Sequence, residues 1–313
     1  MSAPASPSTF PTVVVVGSIN LDQVVTVDRH PLPGETLIGS SLALLPGGKG
    51  ANQAVAAAQL GGRVWLVGAV GDDGRTSAAT AILTSSGVNL ASVKTVAGST
   101  GLALVTVAGD GENAIVVVPG ANTAVNAAFV DAEATLISGA AVVVLQGEIP
   151  GSGIVAAARL ARGRVVLNLA PVMPLPADTL RMADPLVVNE HEAALLLGML
   201  VPGRVLPATD EGLARALKSW GVRSVVLTRG AKGAICLDDV SGLFSVAAPA
   251  VKSLDSSGAG DAFVGALSAK LAAGGSLPDA TRFAARVGAF AVQGRGTQPS
   301  YPHEGDALPE VAP

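Results

Sequence analysis

The stretch Asp255-Ser256-Ser257-Gly258-Ala259-Gly260-Asp261 holds the residue types in this chain best suited to chemistry. A turn of small residues runs straight into Ala262-Phe263-Val264-Gly265-Ala266-Leu267, whose apolar spacing predicts a helix. The first turn of such a helix presents N–H groups without intrahelical acceptors and a partial positive charge. Gly258 and Gly260 let an anion come close to that backbone. Asp261 lies beside this cradle, where a carboxylate can take the proton of an attacking hydroxyl, and the combination suggests phosphoryl transfer. An Asp at a helix start is also a common cap, so the stretch alone leaves both roles open.

A second set of polar residues falls just beyond short β-branched runs. Asn20 and Asp22 follow Val13-Val14-Val15-Val16, and Glu148 follows the run ending at Gln146. Asn168 ends the next run, Asn189 and Glu192 follow Val187-Val188, and Thr228 closes Val225–Leu227. Each residue alone is an ordinary turn or cap former. Together they mark the carboxyl ends of strands, where open α/β sheets bind ligands.

The elements that must position these residues are legible from pattern. Strand-like runs occur at Val13–Val16, Val64–Ala69, Ala141–Gln146, Val165–Leu169, Pro185–Val188 and Ser224–Thr228. Segments of helical length lie between them at Asn52–Leu60, Ser77–Ser85, Gly153–Ala161, Glu190–Leu197 and Glu211–Trp220. Gly61, Gly87, Gly163 and Gly221 read as helix stops. Strands alternating with helices predict a parallel sheet covered on both faces, a three-layer α/β/α domain. Two regions break the rhythm. One runs from about residue 19 to 45, with Leu21–Val27 and Leu37–Leu44 split by Pro31-Leu32-Pro33-Gly34; the other runs from about 101 to 118. The latter pairs Gly101–Val107 with Ala114–Val118 around Gly109-Asp110-Gly111, and neither region has room for a crossover helix. They predict a small β-sheet inserted into a single domain over 12–313, a lid over the site whose other face clasps a second subunit in a homodimer.

Composition bounds the alternatives. Of 313 residues, 49% are hydrophobic and only 3% aromatic, so the core is built from Val, Leu, Ile and Ala. A net charge of −4 without a basic run makes a nucleic-acid partner unlikely on physical grounds. No apolar run approaches the length of a membrane span. Residues 1–11, rich in Ser and Pro, read as a disordered leader rather than a signal peptide, and the cytoplasm is the expected location. Cys236, the single cysteine, reads as a small buried residue. Gly47-Gly48-Lys49-Gly50-Ala51-Asn52 fails the P-loop pattern, because Gly50 stands where the metal-binding hydroxyl belongs. Phe263 likewise occupies the third glycine position of a dinucleotide fingerprint.

The motifs then fall into an ordered series. It runs Gly17-Ser18-Ile19-Asn20-Leu21-Asp22, Pro33-Gly34-Glu35-Thr36, and Gly47-Gly48-Lys49-Gly50-Ala51-Asn52-Gln53-Ala54. It continues with Gly111-Glu112-Asn113, Gly120-Ala121-Asn122, Asn189-Glu190-His191-Glu192, Asp255–Asp261 and Gly296-Thr297-Gln298-Pro299-Ser300. From about Val13 to Pro302 this series resembles the ribokinase-like, or PfkB, carbohydrate kinases.

The resemblance implies ATP-dependent phosphorylation of D-ribose at its 5-hydroxyl. It makes Asp261 the base and the N–H groups of Gly258, Ala259 and Gly260 an anion hole. It assigns the sugar to Asn20, Asp22, Gly48, Lys49, Asn52 and Glu148, and ATP to Asn189, Thr228, Gly230, Lys232, Gly233 and Gly260. Glu192 would serve Mg²⁺, through water. A monovalent cation, K⁺, would be held by Asp255 and Ser300 with carbonyls of Ser257, Ala291, Gly294 and Gly296. Ala285 and Arg286 fall where the adenine face is expected, and Ala offers the base no hydrogen bond. Related kinases acting on 2-deoxyribose, a ketohexose or a nucleoside are the alternatives, as is a non-catalytic sugar-binding regulator. ADP release over a panel of sugars and nucleosides separates them.

Overall fold

A computed structural model describes residues 12–110 and 112–311. The expected leader at 1–11 and Gly111 of the turn motif lie outside the described residues. Thirteen strands form two sheets. In chain order they are β1 (Thr12–Val16), β2 (Asn20–Thr26), β3 (Ser41–Gly47), β4 (Arg63–Gly71), β5 (Val93–Val96), β6 (Leu102–Val107) and β7 (Asn113–Val118). There follow β8 (Val142–Gln146), β9 (Arg164–Asn168), β10 (Ala183–Asn189), β11 (Val225–Thr228), β12 (Ala234–Asp238) and β13 (Gly242–Val246).

The large sheet has the order β13-β12-β11-β10-β9-β8-β1-β4-β5, parallel from β11 through β5. Strands buried on both faces need apolar side chains in both directions, and β1 meets that need. Val13 and Val15 point into a core with the helices Lys49–Gln59, Ala259–Ala272 and Leu277–Ala291. Val14 and Val16 point into a second core with Gly151–Leu160, Glu190–Leu200 and Asp210–Trp220. Three layers result, as the alternation of runs predicts. Cys236 is buried in the first core, and burial pushes its thiol up to about 11.

Several expectations are corrected. The edge hairpin β12–β13 is antiparallel and went unread, because its two five-residue strands carry no distinctive alternation. The expected helix Ser77–Ser85 is two short helices, Thr76–Ala79 and Ala81–Ser85. Thr80 stands at the break and turns its hydroxyl back onto the Thr76 carbonyl at 2.8 Å. Gly61, Gly87 and Gly221 have positive φ after their helices, but Gly163 does not. Gly163 is small because any Cβ there would strike the Ala141 carbonyl.

The small sheet has the order β3-β2-β6-β7. Each expected hairpin is antiparallel, and β2 joins β6 in parallel. Register places Leu44, Gln23, Leu104 and Val116 in one row across the four strands. Leu42, Leu44, Leu104, Val116 and Val118 are exposed, on the face opposite Asp22.

Candidate active site

The chain leaves β1 toward β4 on one side, and β8 later joins β1 on the other, so the strand order reverses there. Such a reversal opens a crevice beyond the carboxyl ends of the strands. Gln146, Asn168, Asn189 and Thr228 end β8, β9, β10 and β11, and register pairs Gln146 with Asn168 and Asn189 with Thr228. Above them lies a cavity of about 170 Å³ whose lining includes Lys49, Asn189, Glu192, Thr228, Gly258, Gly260 and Asp261.

Asp261 is 6% exposed, in the first turn of the Ala259–Ala272 helix. Its Oδ2 accepts from Asn52 Nδ2 at 2.9 Å and its Oδ1 from Gln53 Nε2 at 2.8 Å. Gln53 Oε1 accepts from Gln146 Nε2 at 2.7 Å, and Gln53 Nε2 also reaches Asn168 Oδ1 at 3.0 Å. Asn52 Oδ1 accepts from Gln298 Nε2 at 2.9 Å. An ionised carboxylate only accepts, so both amides turn their NH₂ groups toward it and their oxygens toward further donors. Each carboxylate oxygen keeps a lone pair for a substrate hydroxyl.

Gly258 caps this helix in the left-handed region, with φ of 72°. The N–H groups of Gly258, Gly260 and Asp261 have no acceptor among the described residues, whereas Ala259 N–H reaches Ser256 O at 3.3 Å. A Cβ at Gly260 would meet nothing within 4 Å, so the space above the turn is open. Unpaired N–H groups facing open space beside a cation are what a phosphate needs. Lys49 supplies the cation. It is half-buried, and the charge of Asp261, then those of Glu148 and Glu192, hold its ammonium above the usual lysine range.

The expected sugar residues surround the passage from β1 to β2. Glu148 Oε2 accepts from Ser18 Oγ at 2.6 Å and from Lys49 N–H at 2.9 Å. Asn20 Oδ1 accepts from Asn122 Nδ2 at 2.8 Å, and Asn122 Oδ1 accepts from Ile19 N–H. Gly48, with φ of 86°, passes so close that a Cβ would lie 2.8 Å from Asn20 N. Asp22 is the strained charge of the group. Burial, then the charge of Glu148, raises its carboxyl to about 7, and its buried Oδ1 has no hydrogen-bond partner.

Among the expected nucleotide residues, Asn189 and Glu192 close a reciprocal cap on the Glu190–Leu200 helix, each side chain bonding the other's N–H at 2.8 Å. Glu192 lines the cavity, and its Oε1 makes no hydrogen bond among the described residues. Thr228 lines the cavity too, while Gly230 and Lys232 form an exposed turn outside it. Lys232 lies 3.8 Å from Glu190, and Gly233 is pressed against the Val246 carbonyl. Arg286 is turned away toward the C-terminal segment, donating to the carbonyls of Leu308 and Pro309 and to Glu310.

The expected cation residues meet in one corner. Asp255 is half-buried, a setting that alone raises a carboxyl, yet N–H donation from Ser257 and Gly296, both at 2.9 Å, leaves it below the usual range. Gly294 donates to the Ala291 carbonyl and packs on Ser300, whose hydroxyl donates to Thr297 O at 2.8 Å. Sequence reading missed Ser18, Gln53, Gln146 and Gln298 as site residues. Ser18, Gln53 and Gln298 stand inside the quoted motifs, and their place there was the available signal.

The sequence pattern of the pfkB family carbohydrate kinases matches residues 11–304. The chain belongs to the PfkB family of carbohydrate kinases. Within this PfkB family it is 38% identical over 301 residues to the ribokinase of Schizosaccharomyces pombe, a match covering 93% of this chain and 94% of that one. Among solved PfkB structures, it is similar to the ribokinase of Thermotoga maritima, with a TM-score of 0.87 and 31% identity over 94% of this chain and 97% of the other. It is similar also to the Arabidopsis thaliana ribokinase complexed with ribose and ATP, with a TM-score of 0.86, 32% identity, and 94% and 96% coverage.

Proposed function

We propose that this PfkB kinase transfers the terminal phosphoryl group of ATP to the 5-hydroxyl of D-ribose, giving D-ribose 5-phosphate. The observation that carries the reading is a buried, amide-held carboxylate at the foot of an unpaired helix N-terminus. Asp261 takes the proton of the attacking hydroxyl while the N–H groups of Gly258, Ala259 and Gly260 meet the charge on the moving phosphoryl group. Asn20, Asp22, Gly48, Lys49, Asn52 and Glu148 hold the sugar. Their carboxylates, amides and ammonium suit a small molecule covered in hydroxyls. Asn189, Thr228, Gly230, Lys232 and Gly233 hold ATP, with Gly260 at its phosphates.

Glu192, whose Oε1 makes no hydrogen bond among the described residues, would hold Mg²⁺ through water, and the ion would supply charge neutralisation at the phosphates. K⁺ fits the corner of Asp255 and Ser300, whose donors are carboxylate, hydroxyl and the carbonyls of Ser257, Ala291, Gly294 and Gly296. An ion there would supply positive charge beside Asp255 and the turn that carries the anion hole. The exposed apolar face of the small sheet joins two chains into a homodimer, the sheet's other face covers the sugar, and the protein works in the cytoplasm. Residues 12–313 act as one kinase unit with the small sheet inserted.

A coupled ADP-release assay across pentoses, 2-deoxyribose, ketohexoses and nucleosides tests the reading. Ribose is expected to give the highest kcat/KM. Asp261→Asn is expected to lower kcat by about 10³-fold while ribose still binds. Near-normal turnover in that variant would sink the mechanism.

A further inference from the structure

The turn Gln298–Ser300 and the Tyr301 that follows it touch both halves of the site from beneath. Gln298 is fully buried and donates to Asn52, which donates to Asp261. Tyr301, 3% exposed, donates its hydroxyl to the Gly258 carbonyl at 3.0 Å. Thr297, just before the turn, packs so tightly under Gly258 that a Cβ there would collide with its methyl group. We propose that Gln298 and Tyr301 are positioning residues, one fixing the amide polarity that keeps the base an acceptor and the other fixing the residue from which the anion-binding turn starts.

The physical argument has two arms. Asn52 has one NH₂ and one oxygen, and rotating it by half a turn would aim an oxygen at the Asp261 carboxylate. Gln298 Nε2 prevents this, because its donor needs the Asn52 oxygen on its own side. Gln298 Oε1 is buried without a partner, which is the cost of presenting the donor. For the second arm, the Gly258 carbonyl already accepts from Ala262 N–H at 2.8 Å within the helix. The Tyr301 hydroxyl is a second contact on that carbonyl and fixes the Gly258–Ala259 peptide plane, from which the turn carrying the Gly260 and Asp261 N–H groups continues.

This inference rests on the roles given above to Asp261 and Gly258–Gly260, and the experiment separates the two. Ribose-dependent ADP release by the unaltered chain, and its loss in Asp261→Asn, test those roles first. In Gln298→Glu the new carboxylate draws the Asn52 NH₂ toward itself and turns the oxygen onto Asp261, which disfavours the ionised base. The acid limb of the kcat/KM profile is then expected to move up by about one pH unit. Gln298→Met, uncharged and of similar length, carries the same direction of shift where the carboxylate variant does not fold. Tyr301→Phe is expected to lower kcat about tenfold. Its ribose Kd, measured by calorimetry without nucleotide, and its acid limb stay at the wild-type values. An unmoved acid limb in a folded Gln298 variant, or wild-type kcat in Tyr301→Phe, overturns the proposal.

Discussion

Ser18 donates its hydroxyl to Glu148 at 2.6 Å across 130 positions of chain, while accepting the Gly50 N–H at 3.2 Å. One buried serine thus ties the end of β1 to the segment after β8 and to the start of the Lys49–Gln59 helix. Ser18→Ala removes both bonds and leaves Gly50 N–H without its acceptor. The expected result is a rise of about tenfold in KM for ribose, with a smaller change in kcat. Steady-state kinetics at saturating ATP measures it, and an unchanged KM would remove Glu148 from sugar binding or Ser18 from its support.

Asp22 links pH to stability. Its carboxyl, raised to about 7 by burial and by Glu148, stays protonated in the folded chain where the unfolded chain has lost the proton. Between the ordinary value of 3.8 and about 7 the folded state binds more protons, so its stability falls as pH rises through that window. Asp22→Asn removes this penalty. The Tm of the variant minus that of wild type is expected to grow from pH 4 to pH 7 and then level off. A constant difference would show that Asp22 does not carry the linkage.

The corner around Asp255 predicts a salt-specific rate. Adding KCl to enzyme held in tetramethylammonium chloride is expected to raise kcat with ribose several-fold, and Asp255→Ala is expected to abolish the response. Equal rates in the two salts would show that no monovalent cation fixes the turn.

The small sheet predicts an oligomer. Leu42, Leu44, Leu104 and Val116 are 65, 52, 42 and 62% exposed on the face turned from Asp22. A contiguous apolar face of this kind is rarely left to water. Sedimentation at micromolar concentration is expected to give twice the chain mass of 30.8 kDa, and Val116→Lys to halve it. A monomeric wild type would leave the face unexplained.

The parallel strands other than the short edge strand β5, and most of the helices, were legible, because β-branched runs and helical spacing are local properties. The hairpin β12–β13 was less so, since its short strands gain their stability from pairing at a sheet edge. Asp261 and the strand-end polar residues could be read from type and position, whereas Lys49 came only with the family resemblance. The amides could not. Gln53, Gln146 and Gln298 act through partners 208, 93 and 246 positions away, and only the assembled fold brings those partners within reach. Arg286 shows the converse, since the resemblance puts it where the adenine face is expected and the structure turns its side chain to the C-terminal segment.

The support of Asp261 has a consequence for synthesis. Its carboxylate is held by residues 52 and 53, and Asn52 in turn by residue 298. The sugar-side residues, Asn20 through Glu148, leave the ribosome long before that last donor exists. A chain interrupted before Gln298 lacks the donor that pairs with Asn52 Oδ1. The amide network around Asp261 is therefore completed only when synthesis is nearly finished.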